Sequence, residues 1–235
     1  MTTIAAKLQH VRARIATACQ QAGRNVQDVT LLAVSKTFGP EAVRAAAAAG
    51  QRDFGENYIR EGVDKIAALA DLRHQLGWHC IGPIQSNKTR LVAEQFDWAH
   101  GVDRLKTAER LSAQRPPGLP PLNLCLQVNI DGGPTKSGVA PAEALALALA
   151  VAALPGLRLR GLMTIPDPAP DFEAARAVHA SARALFDQLN AAGLGLDTLS
   201  MGMSDDLEAA VAAGSTMVRV GSAIFGTRAV KPSRQ

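Results

Sequence analysis

Short apolar or β-branched runs alternate with longer amphipathic stretches along the whole chain, at spacings of about 20 to 35 residues. The runs at 31–35 (LLAVS), 52–54 (RDF), 78–81 (WHCI), 97–100 (DWAH), 123–129 (NLCLQVN), 158–163 (RLRGLM), 197–200 (DTLS) and 217–220 (MVRV) read as strands. Between them PEAVRAAAAAG, YIREGVDKIAALA, RLKTAERLSAQ, PAEALALALAVAAL, DFEAARAVHASARALFDQLNAAG and DDLEAAVAAG read as helices, several opened by Pro or Asp and closed by Gly. Strand followed by helix, repeated eight times, predicts an α/β fold: a single (β/α)8 TIM-type barrel over residues 1–235. The alternative is an open doubly wound sheet, because the second, fourth and seventh strands are short.

Before the first strand, Ile4, Leu8, Val11, Ile15 and Cys19 recur at helical spacing, which predicts an extra N-terminal helix packed on the barrel. Lys7, Arg12 and Arg14 interrupt that stretch, so it lacks the unbroken apolar core of a secretory signal. The segment 115–121 (RPPGLPP) reads as a loop inside the domain.

Composition narrows the function classes. The chain of 235 residues is 47% hydrophobic and 20% charged, as expected of a folded globular protein. Its longest apolar run, Ala144 to Leu154, has eleven residues, about half of the ~20 that a membrane helix needs. The 25 basic and 21 acidic residues are interspersed without a basic run, so neither nucleic acid nor a membrane is an expected partner. Cys19, Cys80 and Cys125 are odd in number and far apart, which argues against a disulfide framework or a zinc site and for a cytoplasmic location.

Barrel chemistry sits at the C-terminal ends of the strands, with phosphate often held after strands 7 and 8. That rule selects Lys36, FGENY (54–58), HCIGPIQSNK (79–88), SMGMS (200–204) and VRVGSAIFG (218–226). Leu32, Val34 and Lys36 share a strand face, so if the first two fill the barrel, Lys36 points into its mouth, desolvated and able to form a Schiff base with an aldehyde. An ordinary solvated strand-end lysine is the competing reading. Ser200, Met201, Gly202, Gly221 and Ser222 put small residues and backbone N–H groups where an anion could sit, although such residues are also common in turns. Arg219 alternates with Met217 and Gly221 and is expected to face inward, beneath a ligand or in a salt bridge with an acid such as Glu56. Asn57 could donate to a ligand or cap the next helix. His79, sharing a face with Ile81, reads as a satisfied core histidine. No metal spacing, Gly-x-Ser-x-Gly elbow or Gly-x-x-x-x-Gly-Lys loop occurs.

AVSK at 33–36, FGENY, HCIGPIQSNK, GLMTI at 161–165, LSMGMSDD at 199–206 and GSTMVRVGSAIFG at 214–226 together resemble the pyridoxal phosphate homeostasis proteins, in order over almost the whole chain. That family looks like the barrel domain of alanine racemase standing alone. The resemblance implies that Lys36 forms a Schiff base with pyridoxal 5′-phosphate (PLP), that Arg219 faces the pyridine nitrogen, that Ser200, Gly221 and Ser222 hold the phosphate, and that Met201, Gly202 and Asn57 line the site. The family often has a glutamate a few residues before a lysine in the loop after strand 5. Here NIDGGPTKSG puts Gly133 at that position and keeps Lys136, which questions any function needing an acid and a lysine together there.

Three functions remain: PLP binding for cofactor homeostasis, a PLP-dependent racemase-like enzyme, and an aldolase-type barrel. Racemisation profits from two bases. The sole tyrosine is Tyr58, at a helix start, and an arginine against the pyridine nitrogen would make the ring a poor electron sink, so binding without turnover is expected. The expected partners are PLP and the apo forms of PLP-dependent enzymes, with the chain itself a monomer.

Overall fold

The computed structural model describes residues 3–226. Eight parallel strands close a barrel in chain order: β1 (Thr30–Val34), β2 (Asp53–Glu56), β3 (Gly77–Cys80), β4 (Trp98–Val102), β5 (Leu122–Val128), β6 (Leu157–Thr164), β7 (Thr198–Ser200) and β8 (Met217–Val220). Pairing of Leu32 with Arg219 and of Ala33 with Val220 joins the last strand to the first, which settles the choice between a barrel and an open sheet. Helices α2 (Pro40–Ala48), α3 (Ile59–Ala68), α4 (Thr89–Gln95), α5 (Leu105–Gln114), α6 (Ala144–Ala152), α7 (Phe172–Ala191), α8 (Leu207–Ala212) and α9 (Ser222–Phe225) follow the strands in turn. Among the described helices none is long and apolar enough to cross a membrane.

The N-terminal helix, α1 (Ile4–Gln21), starts where the Thr3 hydroxyl accepts a hydrogen bond from the Ala6 N–H at 3.2 Å. It buries Leu8, Val11, Ile15 and Cys19 of the predicted stripe, together with Ala18, against α8 and α9, while Ile4 is only partly buried. Arg14 reaches across to Glu208 at 2.7 Å and to the Ser204 carbonyl at 2.9 Å. The segment 115–121 is the loop between α5 and β5.

Strand alternation splits the core into two layers. Ala33, Phe54, Trp78, Ala99, Val218 and Val220 face the helices in one large apolar cluster, whereas Leu32, Val34, Ile81 and Met217 form a separate cluster inside the barrel. Each fully buried aliphatic or aromatic side chain contributes about 1.5–3 kcal/mol, and it is this burial that fixes the register. Leu32 and Val34 therefore do fill the barrel.

Lower in the barrel the interior is polar. His79 lies 3.2 Å from the Asp53 carboxylate and 3.0 Å from His100, and it stacks on Trp98 with 5.1 Å between ring centroids, so it is the satisfied core histidine expected. Burial, helped by the neighbouring His79 and by Arg219, holds the His100 imidazole well below its usual range. The unfolded chain therefore takes up a proton near pH 6.5 that the native chain refuses. Stability should fall as the pH drops below ~6.5, by up to about 1.4 kcal/mol per pH unit. Urea midpoints measured at pH 7.5 and 5.5 check this, and His100→Gln should flatten the slope; a slope unchanged in the variant would assign it elsewhere.

Candidate functional site

At the C-terminal mouth the end of β1 turns sharply. The Phe38 N–H donates to the Ser35 carbonyl at 3.1 Å, closing a turn in which Lys36 and Thr37 are the central residues. Thr37 has φ of 70°, and no other described non-glycine residue has a positive φ. A β-branched residue in this region stores about 1–3 kcal/mol of strain, so something around it must hold it there. Lys36 itself is exposed, and its side chain makes no hydrogen bond or ion pair among the described residues. The desolvation expected of this lysine is thus a correction: its neighbours on the strand are buried, but its own amine stands in water because the strand ends at Val34 and the turn lifts it above the packed interior.

Phe38 then packs on Phe225 with centroids 5.3 Å apart, bringing the β1 turn against α9. The N–H groups of Gly221, Ser222 and Ala223 donate to no acceptor among the described residues, while the Ser222 hydroxyl lies 3.3 Å from that of Ser204. A Cβ on Gly221 would sit 3.1 Å from the Val34 carbonyl, so a side chain there would press on the end of β1 and need it to give by a few tenths of an ångström. Gly202 has φ of 91° and no room for a side chain, since a Cβ there would lie 2.4 Å from that of Ala210. The Met201 side chain is buried in the outer core rather than at the mouth, and its backbone carbonyl and N–H are taken by the Ser215 hydroxyl and the Met217 carbonyl.

Arg219 is buried and faces inward, as its alternation predicts. Its guanidinium donates to the Ser200 carbonyl at 2.7 Å, the Ser200 hydroxyl at 2.9 Å and the Thr164 carbonyl at 2.8 Å, all neutral oxygens. The salt bridge with Glu56 does not form: Glu56 points outward from β2 to Lys65, and among the described residues Arg219 has no carboxylate within ion-pair distance. Burial lowers its pKa to about 10, which still leaves it charged at neutral pH. Ser200 thus supports Arg219 through both its oxygens.

Asn57 makes no capping bond: the N-cap position of α3 is Tyr58, whose side chain is half exposed and makes no capping hydrogen bond either. Instead its Oδ1 is buried without a protein partner, as is the Thr164 hydroxyl beside the arginine. Buried polar atoms are seldom left unpaired, so both retain an unused capacity for a hydrogen bond, as do the Oδ1 of Asn129 and the Nδ1 of His100. The bare lysine, the unused amides of 221–223 and the carboxylate-free arginine fit a phosphorylated aldehyde with a ring nitrogen.

Lys136, in the loop after β5, pairs with Asp131 at 2.5 Å and with Asp167 at 2.9 Å. An acid and a lysine therefore do meet in that loop despite Gly133, against whose Cα the Lys136 chain is packed. Asp131 comes from two residues before Gly133, and Asp167 comes from the loop after β6. Sequence reasoning also passed over Lys65, Glu61 and Ser35. Lys65 is buried on the packed face of α3 beside Ile66, and a lysine in an apolar stripe four residues after a glutamate was the available signal.

The model of the alanine racemase N-terminal domain matches residues 6–229. The chain is 61% identical over 228 residues to the pyridoxal phosphate homeostasis protein of Pseudomonas aeruginosa, covering 97% of each chain. It is 54% identical over 229 residues to that of Escherichia coli, covering 97% of this chain and 98% of that one. The chain belongs to the pyridoxal phosphate homeostasis protein family. Among solved structures it is similar to PipY of Synechococcus elongatus with PLP bound, at 38% identity and a TM-score of 0.83, covering 95% of this chain and 100% of that one. Alanine racemase from Corynebacterium glutamicum shares the fold, at 19% identity and a TM-score of 0.65 over 97% of this chain and 63% of that one.

Proposed function

We propose that this protein binds PLP through a Schiff base to Lys36 and serves cofactor homeostasis in the cytoplasm, buffering PLP or delivering it to apo PLP-dependent enzymes, as a monomeric single-domain barrel and without appreciable turnover. The observation that carries this reading is the environment of Arg219, a buried guanidinium with only neutral partners and a hydrogen-bond donor to spare at the level of Leu32 on the neighbouring strand. PLP supplies an aldehyde and a ring that can withdraw electrons when its nitrogen is protonated. A permanently charged donor facing that nitrogen keeps it an acceptor and weakens the withdrawal. In this reading Gly221, Ser222 and the Ser200 hydroxyl proton serve the phosphate, Asn57 serves the ring substituents, and Gly202 and Met201 fix the β7 loop.

The family name and the PLP-bound relative support the cofactor. The racemase-like alternative needs a second base, and Tyr58, the sole tyrosine, is exposed at the start of α3. The test is to incubate the PLP-loaded protein with L-alanine and other amino acids in deuterium oxide, and separately with an apo PLP-dependent enzyme. Negligible α-proton exchange together with measurable transfer is the expected result. Several turnovers per second with any common amino acid would establish an enzyme instead.

A further inference from the structure

Resting on the reading that Lys36 carries the cofactor, we propose that Lys65 is its positioning residue: a buried ammonium that clamps the chain on both sides of Lys36, so that the lysine is aimed by its backbone while its amine stays free. The side chain of Lys36 has no partner to orient it, and the turn beneath it is strained at Thr37. Lys65 Nζ donates to the Ser35 carbonyl at 2.7 Å and to Glu56 Oε1 at 2.8 Å, and it forms an ion pair with Glu61 Oε1 at 2.7 Å. Ser35 and Thr37, the two neighbours of Lys36, are both tied to this cluster. The Ser35 hydroxyl donates to Glu56 Oε1 at 2.5 Å, and the Thr37 N–H donates to Glu61 Oε1 at 2.5 Å. Glu61 thus holds the amide of the strained residue, and Lys65 holds Glu61.

Burial makes the arrangement stiff. Lys65 and Glu56 are nearly or wholly inaccessible, so their attraction is little screened, and moving either would leave a buried charge without its partner. A fixed backbone and an unencumbered amine are together what an amine needs to meet an incoming aldehyde without first breaking bonds of its own.

Lys65→Met would strand Glu56 as a buried unpaired charge and confound capture with unfolding, so the test uses the more accessible end of the clamp. PLP capture and release are followed by the visible band and by borohydride trapping at Lys36, with the melting midpoint as control. Glu61→Ala, which frees the Thr37 amide, should slow capture by about tenfold. Glu61→Gln, which keeps an oxygen for both Thr37 and Lys65, should stay within about twofold of the original protein, because position and not charge is at stake. Thr37→Gly in the Glu61→Ala background should recover most of the loss, since glycine adopts a positive φ without strain. Capture unchanged in Glu61→Ala, equal losses in the Ala and Gln variants, or no recovery with Thr37→Gly would each overturn the clamp. An original protein that traps nothing at Lys36 would instead remove the reading on which the clamp rests, and the clamp with it.

Discussion

Lys36→Ala is expected to lose the borohydride-trappable PLP at position 36 and to weaken PLP binding by at least about tenfold, equivalent to ~1.4 kcal/mol, with the fold intact. The intact fold follows from exposure: the side chain touches nothing that the barrel needs, and substitutions at such positions stay within about 0.5 kcal/mol. The loss follows from the competition among amines. Lys136 is the other lysine singled out by the sequence. Burial pulls its ammonium down, but Asp131 and Asp167 outweigh that and hold it above its ordinary value. A lysine kept protonated between two carboxylates is a poorer nucleophile than one with no partner. Reduction followed by peptide mapping of both proteins checks the result. Equal adduct yield in the variant would sink the assignment, and an adduct mapped to Lys136 would name the replacement.

Pyridoxal, which lacks the phosphate, should bind at least about 100-fold more weakly than PLP. Two charge-assisted bonds from the 221–223 amides, at roughly 1.5–3 kcal/mol each, are enough for that factor. The amides are already in place and unpaired, so little ordering is needed when the anion arrives. Inorganic phosphate should therefore compete with PLP, and Gly221→Ala should weaken PLP more than pyridoxal, because its Cβ would press on the Val34 carbonyl and displace the amides. Equal dissociation constants for the two aldehydes, measured by titration, would remove the cup from the reading.

Much of this architecture was legible in the chain. All eight strands fall where apolar runs alternate with helical stretches, and β7, three residues long and one of the short strands that left an open sheet as an alternative, lies within the run 197–200. The grouping of Leu32 with Val34 and of Met217 with Arg219 could be read because side chains two apart share a face, whereas which face turns inward was settled only by the closed barrel, since the alternate set is buried too. Motif likeness pointed to the family, and the matches over nearly full length agree with it.

What could not be read were partners distant in the chain. A salt bridge to an acid such as Glu56 was the competing expectation for Arg219, yet both oxygens it takes from Ser200 lie 19 residues before it, and the Thr164 carbonyl lies 55 before it. Lys136 finds Asp167 from the next strand's loop, and Lys36 is left exposed by a turn that Glu61 holds, 24 residues from Thr37. Local periodicity reports which face of an element is buried, because burial repeats with the element's own geometry. It carries no information about which polar group meets which. That depends on the closure of β8 against β1 and on the seating of α3 behind β2, and only the closed barrel brings those groups within hydrogen-bond reach.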